Sequence, residues 1–317
     1  MAESKIPLIC IVGPTASGKT SLAVEICKRY GAEAVSCDSM QIYKGMDIAT
    51  AKPTKEEMQG IPHHLIGFLS PEESFSVAKY CETARNVIFD INQRGKNAVL
   101  VGGTGLYYSS LVDNIEFLPE ETDFEYRESL KKQAEKFGSQ FLLDKLFKVD
   151  PEAARELHIN NLGRIIRALE IYHTTGKTKS MQNEESRNHP SPFDVTAVCL
   201  DARDRQFLYD RINKRVDIML ETGLLEEAKA YFEMNIGRTA AQAIGYKELE
   251  PYFKNEKSLD ECIENLKMQT RRYAKRQLTW FRRDSRMNFL YIDDYSCAED
   301  LLNAALEITE RGVKLEK

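Results

Sequence analysis

Gly13-Pro14-Thr15-Ala16-Ser17-Gly18-Lys19-Thr20 matches the phosphate-binding pattern G-x-x-x-x-G-K-[ST] in full. The apolar run Ile6 to Val12 in front of it reads as a buried strand. Behind it, Leu22, Ala23, Ile26, Cys27 and Tyr30 recur at helical spacing. A strand, a glycine-rich turn and a helix start together aim backbone N–H groups and the positive helix end at a phosphate. In that setting Lys19 reaches a terminal phosphate and the Thr20 hydroxyl is a ligand for Mg²⁺. Gly31 is expected to close the helix in the left-handed conformation. The chain therefore handles a di- or triphosphate.

Working outward, the stretch to about Glu116 alternates strand-like and helix-like segments. Ala32 to Ser36 reads as a second short strand, and Phe75 to Arg94 as a helix ended by Gly95. Ala98 to Val101 is a buried-type strand running into Gly102-Gly103-Thr104-Gly105. This order predicts an α/β fold of the P-loop NTPase type, a parallel sheet flanked by helices, with ligands at the carboxyl ends of the strands. From about Phe117 helical segments take over: Phe124 to Phe137, Ser139 to Lys148, Pro151 to His158 and Leu162 to Thr175. Asp150-Pro151 and Asn161 stand at their starts. Lys177 to Pro192 reads as loop, and strand character returns at Val195 to Leu200. Residues 117–193 are thus expected to form an all-helical insertion in a core made of 1–116 and 194–317. The remainder reads as helices at Arg205 to Thr222, Leu224 to Met234 and Leu259 to Phe281, with a last strand at Phe289 to Ile292.

Composition narrows the class. No apolar stretch approaches the ~20 residues that span a bilayer, and the N-terminus leads straight into the first strand, so neither membrane nor signal peptide is expected. Seven cysteines are scattered without zinc-type spacing, which fits reduced thiols in a cytoplasm. A net charge of −5 argues against a uniformly basic nucleic-acid binder but not against a segregated basic surface. With no long heptad seam, a monomer is expected.

Asp38 follows the second strand beside the phosphate loop. Three jobs are open to it: Mg²⁺ ligand, general base or helix cap. The strand 98–101 ends in glycines, where an ATPase of this class carries an acidic residue; that favours transfer to a bound acceptor over hydrolysis. Arg211 and Arg215, one helical turn apart, either clamp a phosphate or pair with Asp204, Asp210 and Asp217. Lys267, Arg271, Arg272, Lys275, Arg276, Arg282, Arg283 and Arg286 are opposed only by Asp284. They form either a solvated face or a stripe tracking a polyanion, with Arg271 and Lys275 as its expected phosphate contacts. His63-His64 reads as loop or substrate-side residues rather than a metal site.

Several segments carry a resemblance over about residues 6 to 292. They are the phosphate loop, Asp-Ser-Met-Gln-Ile-Tyr-Lys-Gly-Met-Asp-Ile-Ala-Thr-Ala-Lys-Pro at 38–53 and Pro-His-His-Leu at 62–65. Gly-Gly-Thr-Gly-Leu-Tyr at 102–107, Arg-Ala-Leu-Glu at 167–170 and Ala-Ile-Gly-Tyr-Lys-Glu at 243–248 follow. Ala-Lys-Arg-Gln-Leu-Thr-Trp-Phe-Arg at 274–282 completes them. In these the chain resembles bacterial tRNA dimethylallyltransferases, also called isopentenyl-tRNA transferases. The resemblance implies transfer of a dimethylallyl group from dimethylallyl diphosphate to the N6 amine of adenosine 37, in the anticodon stem-loop of tRNA, with Mg²⁺ as cofactor.

Carried over by position, Gly13, Pro14, Thr15, Ala16, Ser17, Gly18, Lys19 and Thr20 would bind the diphosphate, with Arg215 reaching it. Asp38 would be the general base, with Thr15 and Arg215 completing the catalytic set. Asp38, Ser39, Met40, Gln41, Thr104 and Arg127 would contact tRNA, as would Gly163, Arg164, Ile165, Ile166 and Arg167. The chain departs from the family's His-Pro-Asn-Asp with His158-Ile159-Asn160-Asn161, and Gly163 stands where a polar side chain is common. Two rival readings stay open at this point, a small-metabolite kinase and an RNA-binding nucleotide switch.

Overall fold

The computed structural model describes residues 5–115, 117, 123–187 and 190–312. Six strands form one sheet: β1 (Ile6–Val12), β2 (Glu33–Ser36), β3 (His63–His64), β4 (Ala98–Gly102), β5 (Phe193–Asp201) and β6 (Met287–Tyr291). Their order is β3-β2-β4-β1-β5-β6 and every pairing is parallel. The alternation of β1 shows why both faces are covered. Leu8, Cys10 and Val12 join one apolar layer, whereas Ile9 and Ile11 join the other. Side chains with a period of two fill both layers, as buried parallel sheets require.

Helices α1 (Lys19–Tyr30), α2 (Lys55–Met58), α3 (Val77–Gln93) and α4 (Gly105–Val112) accompany the first four strands. Gly31 ends α1 at φ +59° with its N–H on the Cys27 carbonyl, as expected of a left-handed cap. The Gly105 turn expected after β4 instead opens directly into α4. His63 and His64 do not lie in a loop; they are the edge strand. His64 Nε2 lies 2.7 Å from Glu33 Oε2, which ties the ring to the carboxylate that Arg94 and Lys96 also hold.

Chain contacts divide the molecule into two compact units, one of residues 1–112 with 192–317 and the other of 113–191. The second holds α5 (Phe124–Phe137), α6 (Ser139–Val149), α7 (Pro151–Glu156), α8 (Leu162–Thr175) and α9 (Lys179–Arg187) around Leu130, Leu142, Leu146, Ile165 and Leu169. Asp123 and Asp150 cap α5 and α7 by accepting the N–H of Tyr126 and Ala153. Asn161 sits at the start of α8, but its side chain makes no capping bond. The segment expected to be loop contains α9, which Asp150 holds by accepting from the Ser180 N–H and hydroxyl. The first unit continues with α10 (Arg205–Glu221), α11 (Leu224–Phe232), α12 (Tyr246–Phe253), α13 (Leu259–Phe281) and α14 (Ala298–Gly312). No described helix is long and apolar enough to cross a membrane.

Candidate active site

The ends of β1, β2 and β4 lie side by side in the sheet, and the three segments that follow them meet there. The phosphate loop adopts strained backbone that its sequence permits. Gly13 has φ +139°, and a Cβ on it would sit 2.5 Å from the Leu200 carbonyl oxygen. Gly18 takes φ +91° at the head of α1. Ala16, at φ +62°, lacks that freedom and its carbonyl is held by Arg211 Nε at 2.9 Å. Pro14's carbonyl accepts from the Ser17 hydroxyl at 2.9 Å and from Lys19 Nζ at 2.5 Å, which turns the ammonium back over the loop. Burial and the nearby Arg215 guanidinium lower the Lys19 pKa to about 8, against the opposing pull of Asp38.

Asp38 resolves part of the choice left open by sequence. Its Oδ1 accepts from the N–H of Met40 at 2.9 Å and of Gln41 at 3.3 Å, so it caps a turn rather than a helix. Its Oδ2 makes no hydrogen bond among the described residues. Burial raises its pKa, while those two N–H groups, Lys19 and Arg215 restrain the rise. A carboxylate with one oxygen fixed and the other open, beside two cations, can accept a proton from a ligand at the sheet edge.

The glycines after β4 bring the third segment close. A Cβ on Gly102 would meet the Cys37 carbonyl oxygen at 2.1 Å, and one on Gly105 would meet Trp280 at 2.4 Å. Thr104 donates its N–H to the Cys37 carbonyl, and its hydroxyl oxygen accepts from the Ser39 N–H at 3.0 Å. Gln277 of α13, buried, joins this turn to the phosphate loop. Its Oε1 accepts from the Thr15 N–H and its Nε2 donates to the Gly103 carbonyl, each at 2.9 Å. In the sequence Gln277 is masked by the charges around it on α13. The available signal was a polar residue in register with the buried Leu266, Ala274 and Phe281.

The arginines divide. Neither Arg211 nor Arg215 pairs with Asp204, Asp210 or Asp217 among the described residues. Arg211 reaches the phosphate loop, while Arg215 lies 3.5 Å from the Ala51 carbonyl, its pKa lowered chiefly by burial. On the basic helix, Lys267 pairs with Asp217 at 2.8 Å and Arg271 donates to Asn213 at 2.6 Å. Arg282 pairs with Asp201 and Arg286 with Asp284. Arg272, Lys275 and Arg276 project into solvent. In the helical unit, Arg127 and Arg167 both pair with buried Glu170, at 2.7 and 2.6 Å. Gly163 and Arg164 are exposed. Ile165 and Ile166 are not available as side-chain contacts: they are 0% and 6% exposed in the core of the unit, because α8 turns its apolar stripe inward.

Among the described residues no cluster of three or more His, Cys, Asp or Glu side chains could hold a metal by itself. The oxygen donors by the loop, the Thr20 hydroxyl and the Asp38 carboxylate, suit a small hard cation that completes its shell with phosphate oxygens and water.

The sequence profile of the IPP transferase family matches residues 41–284, and that of isopentenyl transferases matches residues 6–70. This chain belongs to the IPP transferase family. It is 49% identical over 299 residues to the tRNA dimethylallyltransferase of Caldanaerobacter subterraneus subsp. tengcongensis, covering 93% of this chain and 95% of that one. To the tRNA dimethylallyltransferase of Bacillus subtilis it is 50% identical over 283 residues, 89% and 90% of the two chains. Its fold is similar to the crystal structure of the tRNA isopentenylpyrophosphate transferase of Bacillus halodurans, with TM-score 0.70, 42% identity and coverage of 98% and 99%. A eukaryotic dimethylallyltransferase acting on tRNA matches with TM-score 0.80 and 28% identity over 99% of this chain and 81% of that one.

Proposed function

We propose that this protein transfers the dimethylallyl group of dimethylallyl diphosphate to the exocyclic N6 amine of adenosine 37 in the anticodon stem-loop of tRNA, releasing diphosphate. The observation that carries this reading is the open Oδ2 of Asp38 beside Lys19 and the phosphate loop, where β4 supplies glycines and no acidic residue.

The adenine amine is a weak nucleophile because its lone pair is delocalised into the ring. Asp38 removes a proton from N6 as the new C–N bond forms at C1 of the donor. The C1–O bond breaks and its electron pair leaves with the diphosphate. Charge that gathers on the leaving group meets Lys19, Arg215, the N–H groups of residues 16–20 and the Thr15 hydroxyl, the Thr15 N–H being held by Gln277. The Thr20 hydroxyl would help hold a magnesium ion beside the diphosphate, and that ion would supply further neutralisation of the leaving charge. The base must leave its stack to reach the sheet edge, which costs least in a single-stranded loop.

On the acceptor side the reading assigns contacts to Ser39, Met40, Gln41 and Thr104, and phosphate contacts to Lys275 and Arg271. In the helical unit it retains Gly163, Arg164, Arg167 and Arg127 as tRNA contacts, the last two held by Glu170. It takes the protein as a monomer and as cytoplasmic, the latter in keeping with six buried free cysteines.

The test is incubation of the purified protein with labelled dimethylallyl diphosphate, with and without tRNA, beside a parallel reaction with ATP. Label transferred to the anticodon arm only when tRNA is present supports the reading. Turnover of ATP with no prenylated tRNA would overturn it.

A further inference from the structure

The segment Asp47 to Ala51 follows the Asp38 turn and is clamped from outside the site. Glu227 of α11 accepts four hydrogen bonds. Its Oε2 takes the N–H of Asp47 and of Ile48, both at 2.8 Å. Its Oε1 takes the N–H of Ala49 at 2.9 Å and the hydroxyl of Tyr246 at 2.8 Å. Tyr246 is fully buried and stacked on Tyr231 with ring centroids 3.9 Å apart, so its hydroxyl is a fixed donor. Gly245, at φ +121°, lies against Ala49: a Cβ there would come within 2.8 Å of the Ala49 methyl. The Gly245-Tyr246 pair and Glu227 thus hold one short stretch of backbone.

That stretch ends in two carbonyls turned toward the site. Gln41 Nε2 donates to the Thr50 carbonyl at 3.2 Å and to the Ala51 carbonyl at 3.0 Å. Arg215 reaches the same Ala51 carbonyl at 3.5 Å. Ala51 itself sits at φ +50°, a conformation that surrounding bonds must enforce. One residue therefore meets both the acceptor-side amide and the diphosphate-side guanidinium.

We infer that Glu227, fixed by Tyr246, is a positioning residue that sets the Thr50 and Ala51 carbonyls and through them aims Gln41 at the acceptor and Arg215 at the diphosphate. A carboxylate suits the task because only it accepts from three converging N–H groups and a hydroxyl at once. Replacement by an amide turns an N–H₂ toward these donors. Misplacement of the carbonyls then propagates to two side chains that share no direct contact with Glu227.

The inference rests on the prenyl-transfer reading, so its test carries a readout independent of transfer. Single-turnover transfer and the Kd for inorganic diphosphate are measured in the full chain for wild type, Glu227→Gln, Tyr246→Phe, Gln41→Ala and the Glu227→Gln/Gln41→Ala double variant. Glu227→Gln is expected to slow transfer roughly 10- to 100-fold, the scale of a small misplacement, and to weaken diphosphate binding several-fold. Tyr246→Phe should do the same to a lesser degree and carries the test if the first variant does not fold. The double variant should be no slower than about twofold below its slower parent. Losses that multiply in the double variant, with diphosphate affinity unchanged, would reduce Glu227 to a structural brace and overturn the inference. Failure of wild type to prenylate tRNA would overturn the functional reading instead, leaving the diphosphate affinities to decide this one.

Discussion

Gln277 holds Thr15 from 262 residues away in sequence, its Oε1 accepting the Thr15 N–H at 2.9 Å. Through Nε2 it also donates to the Gly103 carbonyl, and a Cβ on Gly103 would lie 2.2 Å from that nitrogen. The helix bearing the basic stripe is thereby bonded to both the diphosphate loop and the turn after β4.

Gln277→Met keeps the volume and removes both bonds, leaving the half-buried Thr15 N–H and the buried Gly103 carbonyl unpaired. A buried polar group left unpaired costs about 1–3 kcal/mol, and the Gly103 carbonyl is expected to bring a loss of that size in urea unfolding. The KM for dimethylallyl diphosphate should rise with it. Stability equal to wild type would mean the two backbone groups find other partners.

The local parts of this architecture were readable because their causes are local. The loop 13–20 needs glycines at 13 and 18, and the apolar run before it has the buried pattern of a parallel strand. Helix α9 was not readable: Lys-Ser-Met-Gln-Asn-Glu-Glu-Ser-Arg has no apolar stripe, and it is anchored from a distance by Asp150. The start of α4 reads as a turn because the helix opens on Gly105, a glycine set by the approach of Trp280. Glu227 and Tyr246 escaped for the same reason as α9: each is defined by partners that only the folded chain brings near. Ile165 and Ile166 are buried while Gly163 and Arg164 beside them are exposed, because a helix turns neighbouring residues to different sides.

In the proposed reaction Lys19 sets an alkaline limit on donor binding. Its pKa is lowered to about 8, chiefly by burial, so the free enzyme loses the ammonium as pH rises through that value. Affinity for diphosphate should be full below pH 8 and fall above it, and kcat/KM for the donor should follow. On the acid side the limit belongs to Asp38, whose pKa is raised, because the protonated form cannot accept a proton. Lys19→Arg, which does not titrate in this range, should remove the alkaline limb. A limb that persists unchanged in that variant would assign it to another group.

Glu33, at the amino end of β2, is 3% exposed and pairs with Arg94 at 2.7 Å, Lys96 at 2.8 Å and His64 at 2.7 Å. The hydrogen bonds from Arg94, above all, hold its carboxyl well below the usual carboxylate range. A depressed folded pKa means this stabilisation is present above the unfolded value of about 4.3 and is lost as pH falls through the folded one. Glu33→Gln should destabilise the protein at pH 7 and flatten the acid limb of its stability curve. Chemical denaturation from pH 7 to pH 3 checks both.

Lys275 projects from α13 into solvent, whereas Lys267 is already paired with Asp217. If Lys275 neutralises an RNA phosphate, Lys275→Glu should lower the slope of log Kd for tRNA against log salt by roughly 0.7–0.9 or more. Lys267→Gln should change that slope far less. Equal slopes in wild type and Lys275→Glu would make this face merely solvated.

The most direct test of Asp38 as the base is single-turnover transfer from labelled dimethylallyl diphosphate to an anticodon stem-loop by Asp38→Ala. The chemical step is expected to slow by about 10²–10⁴-fold, with tRNA affinity nearly unchanged. A variant that transfers the label at the wild-type rate would leave Asp38 as the cap of the Met40–Gln41 turn and nothing more.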